Sequence, residues 1–186
     1  PQLHPAMKHA IGPRREMGVR TVFNILGPLT NPAGASVQVI GVFSRDLVEP
    51  LAHVLQRLGS EAAYVVSSAD GLDELSTAGP NCVARLRDGR VETERLDARE
   101  FGLVPAGLDD IRGGDPAENA EITRQVLAGA CGPRRDIVLL NAAAALHAAG
   151  AVDGIGEGIR LAADVIDTGR ATRVLEALIA FTREAA

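Results

Sequence analysis

Apolar and β-branched residues gather into two short runs between residues 35 and 68. The segment ASVQVIGVF (35–43) predicts a buried strand, and EAAYVVSS (61–68) predicts a second one. Between them, apolar residues recur every three or four positions in LVEPLAHVLQRLG (47–59), which predicts an amphipathic helix capped by Asp46. Strand, helix and strand form a βαβ unit, so the two strands are expected to pair in parallel.

The segment that follows predicts an antiparallel addition to this sheet. Residues 81–97 (NCVARLRDGRVETERLD) contain two alternating runs joined by Asp88 and Gly89. An Asp-Gly pair between alternating runs is a strong short-range signal for a β-hairpin. The sheet is therefore expected to be mixed.

Helical patterns occupy the rest of the chain beyond the hairpin. Residues 113–129 begin with Asp115 at the N-cap position and Pro116 at the first helical position. Glu118, three residues after the cap, completes the pattern of a capping box. An anion site at this helix start is disfavoured, because the Asp115 carboxylate would satisfy the backbone donors and repel phosphate.

Residues 134–184 alternate alanine-rich and amphipathic helical patterns. Breaks are expected at Asp167–Gly169 and around three glycines at positions 154, 156 and 158. His147 lies in an apolar helical run, where a hydrogen-bonded core residue is the commoner role than a metal ligand. The pattern as a whole defines an α/β fold with a mixed sheet and a helical C-terminal end.

Composition narrows the function classes. The 186 residues are 46% hydrophobic and 23% charged, with a formal net charge of −5, which fits one folded domain and disfavours a nucleic-acid binder. Cys82 and Cys131 lie far apart, which disfavours a zinc site or a disulfide and fits a reducing cytoplasm. No apolar run approaches the roughly 20 residues that a membrane-spanning helix needs.

An adjacent carboxylate pair, Asp73 and Glu74, follows the second predicted strand in SADGLDELSTAG (68–79). Neighbouring side chains of a strand point to opposite faces, but in a loop at the carboxyl end of a strand both carboxylates can face one ligand. Two carboxylates plus substrate phosphates suit Mg²⁺. Spacing alone leaves a second interpretation open, an acidic turn exposed to solvent, and acidic pairs of that kind are common on surfaces.

Basic residues cluster near the start of the chain, where residues 5–17 predict a helix. The cluster, KHAIGPRRE, could bind an anion through arginine, or it could be an ordinary solvated helix face; its basic members are Lys8, His9, Arg14 and Arg15. The next segment, residues 21–34, predicts a short helix that runs into a loop rich in proline. That loop could form a pocket wall or a structural corner.

Four segments together carry a family resemblance. HPAMKHAIGPRREMGVRTVFNILGPLTNPAG, DGLDE, GGDPAENA and VLLNAAAAL occur in this order across essentially the whole chain and resemble the anthranilate phosphoribosyltransferases. The resemblance implies a large α/β domain like that of nucleoside phosphorylases, with a mixed, mostly parallel sheet flanked by helices. It also implies transfer of the phosphoribosyl group from phosphoribosyl pyrophosphate to the amine of anthranilate, in tryptophan biosynthesis.

The resemblance also implies roles for individual residues. The carboxylate pair would bind Mg²⁺ on phosphoribosyl pyrophosphate through Asp73 and Glu74, and no nucleophile would be needed. Arg14 would bind the anthranilate carboxylate. Three further residues would line the anthranilate pocket: Pro1, Met7 and Gly27.

The family's helical N-terminal domain and its Gly-rich pyrophosphate loop are expected upstream of Pro1. Residues 1–186 are therefore expected to be a C-terminal α/β domain, incomplete at its N-terminus, with little or no activity alone. The family implies a homodimer with small-molecule substrates. A cytoplasmic location is expected from the cysteines, and no nucleic acid or membrane partner is expected from the charge and the apolar runs. The alternatives are an enzyme like pyrimidine nucleoside phosphorylase, a non-catalytic nucleic-acid-binding homologue, and a fragment with no independent role.

Overall fold

The computed structural model of the chain describes residues 33–184 and, before them, Gly27, Leu29 and Asn31. Its sheet has four strands in the spatial order β1-β2-β3-β4: β1 (Val37–Gly41), β2 (Ala62–Ser68), β3 (Asn81–Arg87) and β4 (Arg90–Leu96). β1 pairs with β2 in parallel, and β2–β3 and β3–β4 are antiparallel. The mixed sheet is confirmed, although one of these three pairings is parallel, fewer than a mostly parallel sheet would have.

Helices form at the positions that the periodicity predicts. They are α1 (Val48–Arg57), α2 (Pro116–Leu127), α3 (Pro133–Ala148), α4 (Ile155–Asp167) and α5 (Arg170–Glu184), with short 3-10 turns at Arg45–Leu47 and Ala98–Phe101. The helices and strands expected in residues 35–68 and 81–97 are confirmed to within a few residues at their ends. The breaks at Gly154 and at Asp167–Gly169 are confirmed as well.

The prediction that Asp46 caps α1 is wrong. A 3-10 turn precedes the helix, and Asp46 lies inside this turn. Ser44 has the extended backbone of a capping residue, and its Oγ accepts a hydrogen bond from the Asp46 N–H at 3.4 Å. Pro50 lies in the first turn of α1, where its missing N–H costs nothing.

The hairpin between β3 and β4 turns at the predicted Asp-Gly pair. Asp88 and Gly89 both have positive φ, 50° and 69°, as the tight turn between two twisted strands requires. The Gln56 amide of α1 donates to the Gly89 carbonyl at 2.7 Å and ties the turn to the helix. Local sequence and tertiary packing therefore agree on this turn.

β2 is the central element, because all seven of its residues are buried. Ala63 and Val65 face one side of the sheet and pack against the buried face of α1. Tyr64 and Val66 face the other side and pack against α3 and the start of α4. The sheet thus lies between α1 on one side and α3 with α4 on the other, and the carboxyl ends of β1 and β2 meet at one edge.

Gly156 and Gly158 lie inside α4, so the breaks expected there are wrong. Gly158 serves close packing instead, because a Cβ on it would lie 2.8 Å from both Cα and Cβ of Ala143 in α3. Alanine on one helix and glycine on the other allow the two backbones to approach closely. The alanine-rich sequence of α3 fits the same contact.

Two further predictions concern single residues. His147 Nδ1 and the Tyr64 hydroxyl share a buried hydrogen bond of 2.7 Å, so His147 is a satisfied core residue, as predicted. Cys82 and Cys131 are both free thiols. Among the helices that the structure describes, none has the length and apolar character needed to cross a bilayer.

Candidate functional site

The carboxylate pair lies in the loop of residues 69–80 that connects β2 to β3, hereafter the acidic loop. Asp73 and Glu74 are both exposed and lie outside any strand. The loop follows the carboxyl end of β2, next to the end of β1, which is where open α/β sheets bind their ligands. The pair is therefore in a local setting that lets both side chains face one ligand, as a regular strand would not.

Polar side chains close the two ends of the acidic loop on each other. Asp70 accepts hydrogen bonds from the hydroxyls of Ser68 and, at 2.6 Å, Ser76. Asn81 brackets the Ser76 backbone, accepting from its N–H at 2.8 Å and donating to its carbonyl at 2.9 Å. Ser76 and Asn81 are both buried, so these bonds form away from solvent.

The middle of the loop is anchored to α3 through Leu75. The Leu75 side chain is fully buried in the cluster that contains Tyr64, Val66 and Leu140. The Asn141 side chain accepts from the Leu75 N–H at 2.9 Å and donates to the Leu75 carbonyl at 2.8 Å. Both the side chain and the backbone of the residue that follows Glu74 are therefore fixed.

Close backbone contact fixes the other member of the pair. A Cβ built on Gly41, the last residue of β1, would overlap the carbonyl group of Asp73. Only glycine permits the acidic loop to lie this close to the strand end. β1 and α3 thus hold the loop from two directions, on either side of the carboxylates.

The two carboxylates of the acidic loop have no positively charged partner among the described residues. Although Glu74 is exposed as a residue, partial desolvation and then the negative charges of Asp73 and Asp70 raise the pKa of its carboxyl above the usual range. For Asp70, desolvation is outweighed by the hydrogen bonds from Ser68 and Ser76, which hold its pKa below the usual range. Within the described part of the chain, neither Asp73 nor Glu74 forms an ion pair.

This arrangement fits Mg²⁺ that also binds substrate. In residues 33–184 no three His, Cys, Asp or Glu side chains are grouped to hold a metal ion. Two exposed carboxylates provide a partial set of oxygen ligands, and Mg²⁺ usually completes its shell with water and substrate phosphates. A divalent cation would also relieve the repulsion between Asp73 and Glu74.

The residues predicted to line the anthranilate pocket fall mostly outside the described residues, namely Pro1, Met7 and Arg14, as do Lys8, His9 and Arg15. Gly27 is described; it is exposed and has a helical backbone. Leu29 packs against the α1 side of the sheet. A turn closed by a 3.0 Å bond from the Gly34 N–H to the Asn31 carbonyl leads into β1.

Two other features of the structure are separate from the carboxylates. A groove of about 840 Å³ is bordered by Ser68, Ala69 and Gly71 and by Thr93–Arg95 of β4, but Asp73 and Glu74 do not line it. The start of α2 satisfies itself as predicted, since Asp115 accepts from the Glu118 N–H at 2.9 Å. Neither feature brings a further side chain to Asp73 and Glu74.

Sequence reasoning missed Gly41 and Asn141. The glycine interrupts an apolar strand run, which is a signal of close backbone approach. The asparagine interrupts an alanine- and leucine-rich helix, where a buried amide requires a hydrogen-bond partner. Both signals were present, but neither identifies the partner, which lies 66 residues away for Asn141 and Leu75.

Comparison with known proteins shows which family this chain belongs to. Residues 1–172 match the family model described as "Glycosyl transferase family, a/b domain". The match covers well over half of the chain. The chain therefore belongs to this glycosyl transferase family, and the matching part is its a/b domain.

The relatives are more specific than the family. The chain is 53% identical over 185 residues to an anthranilate phosphoribosyltransferase from Geobacter sp. (strain M21), covering all of this chain and 53% of the relative. It also resembles the crystal structure of that enzyme from Thermus thermophilus, with a TM-score of 0.87, 44% identity and coverage of 97% and 53% of the two chains. The chain thus spans about half the length of the relatives it matches.

A structure from Saccharomyces cerevisiae bears on the ligands of such enzymes. The yeast anthranilate phosphoribosyltransferase in complex with PRPP (phosphoribosyl pyrophosphate) and Mg matches with a TM-score of 0.82 and 32% identity. The match covers 91% of this chain and 49% of the yeast chain.

Proposed function

We propose that this chain is the C-terminal α/β part of an anthranilate phosphoribosyltransferase. The observation that carries the proposal is the exposed pair Asp73 and Glu74, held at the carboxyl ends of β1 and β2 in a chain similar over its whole length to such enzymes. The reaction transfers the phosphoribosyl group of phosphoribosyl pyrophosphate to the amine of anthranilate and releases pyrophosphate. The helical domain and the Gly-rich loop would belong to the part of the relatives that this chain does not match.

Charge is the difficulty of this reaction, because a polyanionic group leaves a ribose carbon that becomes cationic. Mg²⁺, when bound, supplies positive charge that offsets the negative charge on the departing pyrophosphate. Asp73 and Glu74 would hold that ion against the sheet edge. Leu75, through its bonds to Asn141, and Gly41, through its close contact with Asp73, would hold the backbone of the two carboxylates at that edge.

The acceptor side would depend on the N-terminal residues of this chain. Arg14 would bind the anthranilate carboxylate through its planar guanidinium and direct the amine toward C1′. Gly27, Met7 and Pro1 would shape the pocket around the ring. Catalysis would then rest on positioning and charge, with no covalent intermediate.

The assembly proposed with this function is a cytoplasmic homodimer of the complete enzyme. Size-exclusion chromatography with light scattering on the longest reading frame that encodes this chain tests the dimer. A monomer at micromolar concentration would contradict it.

Loss of anthranilate fluorescence tests the function itself. The protein encoded by the longest reading frame that contains this chain is incubated with anthranilate and phosphoribosyl pyrophosphate, with and without Mg²⁺. The 186-residue chain is assayed in parallel. We expect Mg²⁺-dependent consumption by the longer protein and little or none by the chain alone. A folded longer protein that consumes no anthranilate would contradict the proposal, and full turnover by the chain alone would contradict its incompleteness.

A further inference from the structure

Asn141 connects the acidic loop to α3. It lies half-buried in α3, surrounded in sequence by alanine and leucine, and its Nδ2 also donates to the Ile137 carbonyl one turn earlier at 3.0 Å. Its amide presents one acceptor and one donor to the two polar backbone groups of Leu75. An asparagine side chain can mimic a neighbouring strand in this way, because its oxygen and nitrogen lie side by side in one plane.

The bracketed residue is the one that follows the carboxylate pair. Asn141 Nδ2 lies 3.5 Å from Glu74 Oε2, so the same side chain also reaches the pair directly, although at long range. Leu75 is fully buried, which prevents the loop from sliding as a whole. The Asn141 amide, bonded to both backbone groups of Leu75, opposes rotation of the loop backbone about the buried Leu75 side chain.

The carboxylates need such a restraint because they repel each other. Asp70, Asp73 and Glu74 carry negative charge within five residues, and neither member of the pair has a cationic partner in the described part of the chain. Without a restraint, the loop backbone would relax so that the two carboxylates point apart. Two carboxylates that point apart cannot share one ion.

We propose that Asn141 is a positioning residue for the Mg²⁺ carboxylates, acting through the backbone of Leu75. This inference rests on the proposed function. Residues that orient metal ligands without touching the metal typically change metal affinity by about 10–100-fold when they are removed. Asn141→Ala is therefore expected to weaken Mg²⁺ binding while leaving the anthranilate side unaffected.

The chain offers a matched control in Asn119. This asparagine brackets the backbone of Gly114 in the same way, accepting from its N–H and donating to its carbonyl, both at 2.9 Å. It lies at α2, outside the acidic loop and α3. Asn119→Ala removes the same chemical groups from the same kind of contact without touching Leu75.

The test compares the two variants in the longest reading frame. Initial rates are measured against Mg²⁺ at fixed phosphoribosyl pyrophosphate, and binding of Mn²⁺ as a stand-in ion is measured by electron paramagnetic resonance. We expect Asn141→Ala to raise the half-saturating Mg²⁺ concentration and the Mn²⁺ dissociation constant by about tenfold or more. We expect the KM for anthranilate to change less than about twofold, and Asn119→Ala to behave as wild type.

Hydrogen–deuterium exchange gives a readout that is independent of activity. The Leu75 N–H donates to Asn141, so peptides covering residues 71–78 should exchange faster in Asn141→Ala and not in Asn119→Ala. Unchanged ion affinity in folded Asn141→Ala would overturn the inference. If that variant does not fold, Asn141→Gln, which shifts the amide by one methylene, is measured instead, and unchanged affinity there has the same meaning. A wild type without Mg²⁺-dependent turnover would defeat the proposed function, whereas an active wild type with an unaffected Asn141 variant defeats only this inference.

Discussion

The backbone of Asp73 rests on Gly41, at the point where β1 ends, with no room for a side chain between them. Gly41→Ala should therefore push the acidic loop away from the sheet edge. Because displacements of about 1 Å can reduce turnover by about a hundredfold, we expect kcat/KM for phosphoribosyl pyrophosphate to fall about ten- to hundredfold. Steady-state kinetics on the longest reading frame measures this loss.

Gly79 provides the control for that substitution. It lies in the same loop, and a Cβ there would meet its nearest neighbour, Ala69 Cβ, at 3.9 Å, an ordinary contact. Gly79→Ala should keep kcat/KM within about twofold of wild type. Equal losses in both variants, or none in folded Gly41→Ala, would contradict the role of the Gly41 contact.

Arg14 is predicted to bind the anthranilate carboxylate, and Arg15 beside it is not. A hydrogen bond to a charged group contributes about 1.5–3 kcal/mol, so Arg14→Ala should raise the KM for anthranilate about ten- to hundredfold. Arg15→Ala, which removes an equal charge, should change it little. An unchanged KM in Arg14→Ala would remove Arg14 from this role, and equal effects would indicate a general electrostatic attraction.

Much of this fold could be predicted because its signals are local. The alternation on both sides of Asp88 and Gly89 needs no distant partner, and neither does the Asp115 cap of α2. Where two capping residues lie within two positions, as Ser44 and Asp46 do, the local pattern cannot choose between them.

In the candidate site, too, the features set by local sequence could be predicted and the long-range contacts could not. The acidic pair Asp73 and Glu74 is visible as a motif in a predicted loop, and its interpretation as a metal site rests on the family resemblance rather than on spacing. The groups that hold the loop depend on chain packing: Asn141 meets Leu75 across 66 positions of sequence. No pattern within a single segment encodes that pairing, although the isolated amide indicates that some partner exists.

Gly158 tests the close approach of α3 and α4. Adding a methyl group there places it 2.8 Å from Ala143, and overpacking of this kind costs about 1–3 kcal/mol, against a gain in helix propensity of up to about 1 kcal/mol. Gly158→Ala should therefore lower the free energy of unfolding, as measured by urea denaturation. Gly156→Ala is the control, because its Cβ would lie 3.4 Å from the Phe101 ring, and it should be neutral or stabilising.

His147 predicts a pH dependence of stability. Burial, and then the positive charges of Arg85 and Arg87, lower its pKa in the folded chain below the ordinary 6.5, against smaller opposing effects of Glu94 and Asp153. Below pH 6.5 the unfolded chain takes up a proton that the folded chain does not. The free energy of unfolding should therefore keep its full value above pH 6.5, where His147 is neutral in both states. It should decrease as the pH falls from 6.5 toward the lower pKa of the folded chain.

Urea denaturation at about pH 7.5 and about pH 5.5, on either side of the unfolded pKa, measures this contribution. His147→Gln keeps a polar partner for Tyr64 and removes the titrating group, so it should lose less stability than wild type between the two pH values. Identical pH dependence in wild type and His147→Gln would contradict the assignment.

The most direct test of the central claim is a Mg²⁺ titration of turnover in Asp73→Asn/Glu74→Gln beside wild type, with thermal unfolding of both. If the pair binds the ion, turnover should fall by about a hundredfold or more at every Mg²⁺ concentration. The melting temperature should stay the same or rise, because the substitutions remove both the partly desolvated charge of Glu74 and its repulsion with Asp73, the two effects that raise the pKa of Glu74. Wild-type turnover in the variant, or a variant that fails to fold, would show that the pair is a structural feature of the loop rather than a Mg²⁺ site.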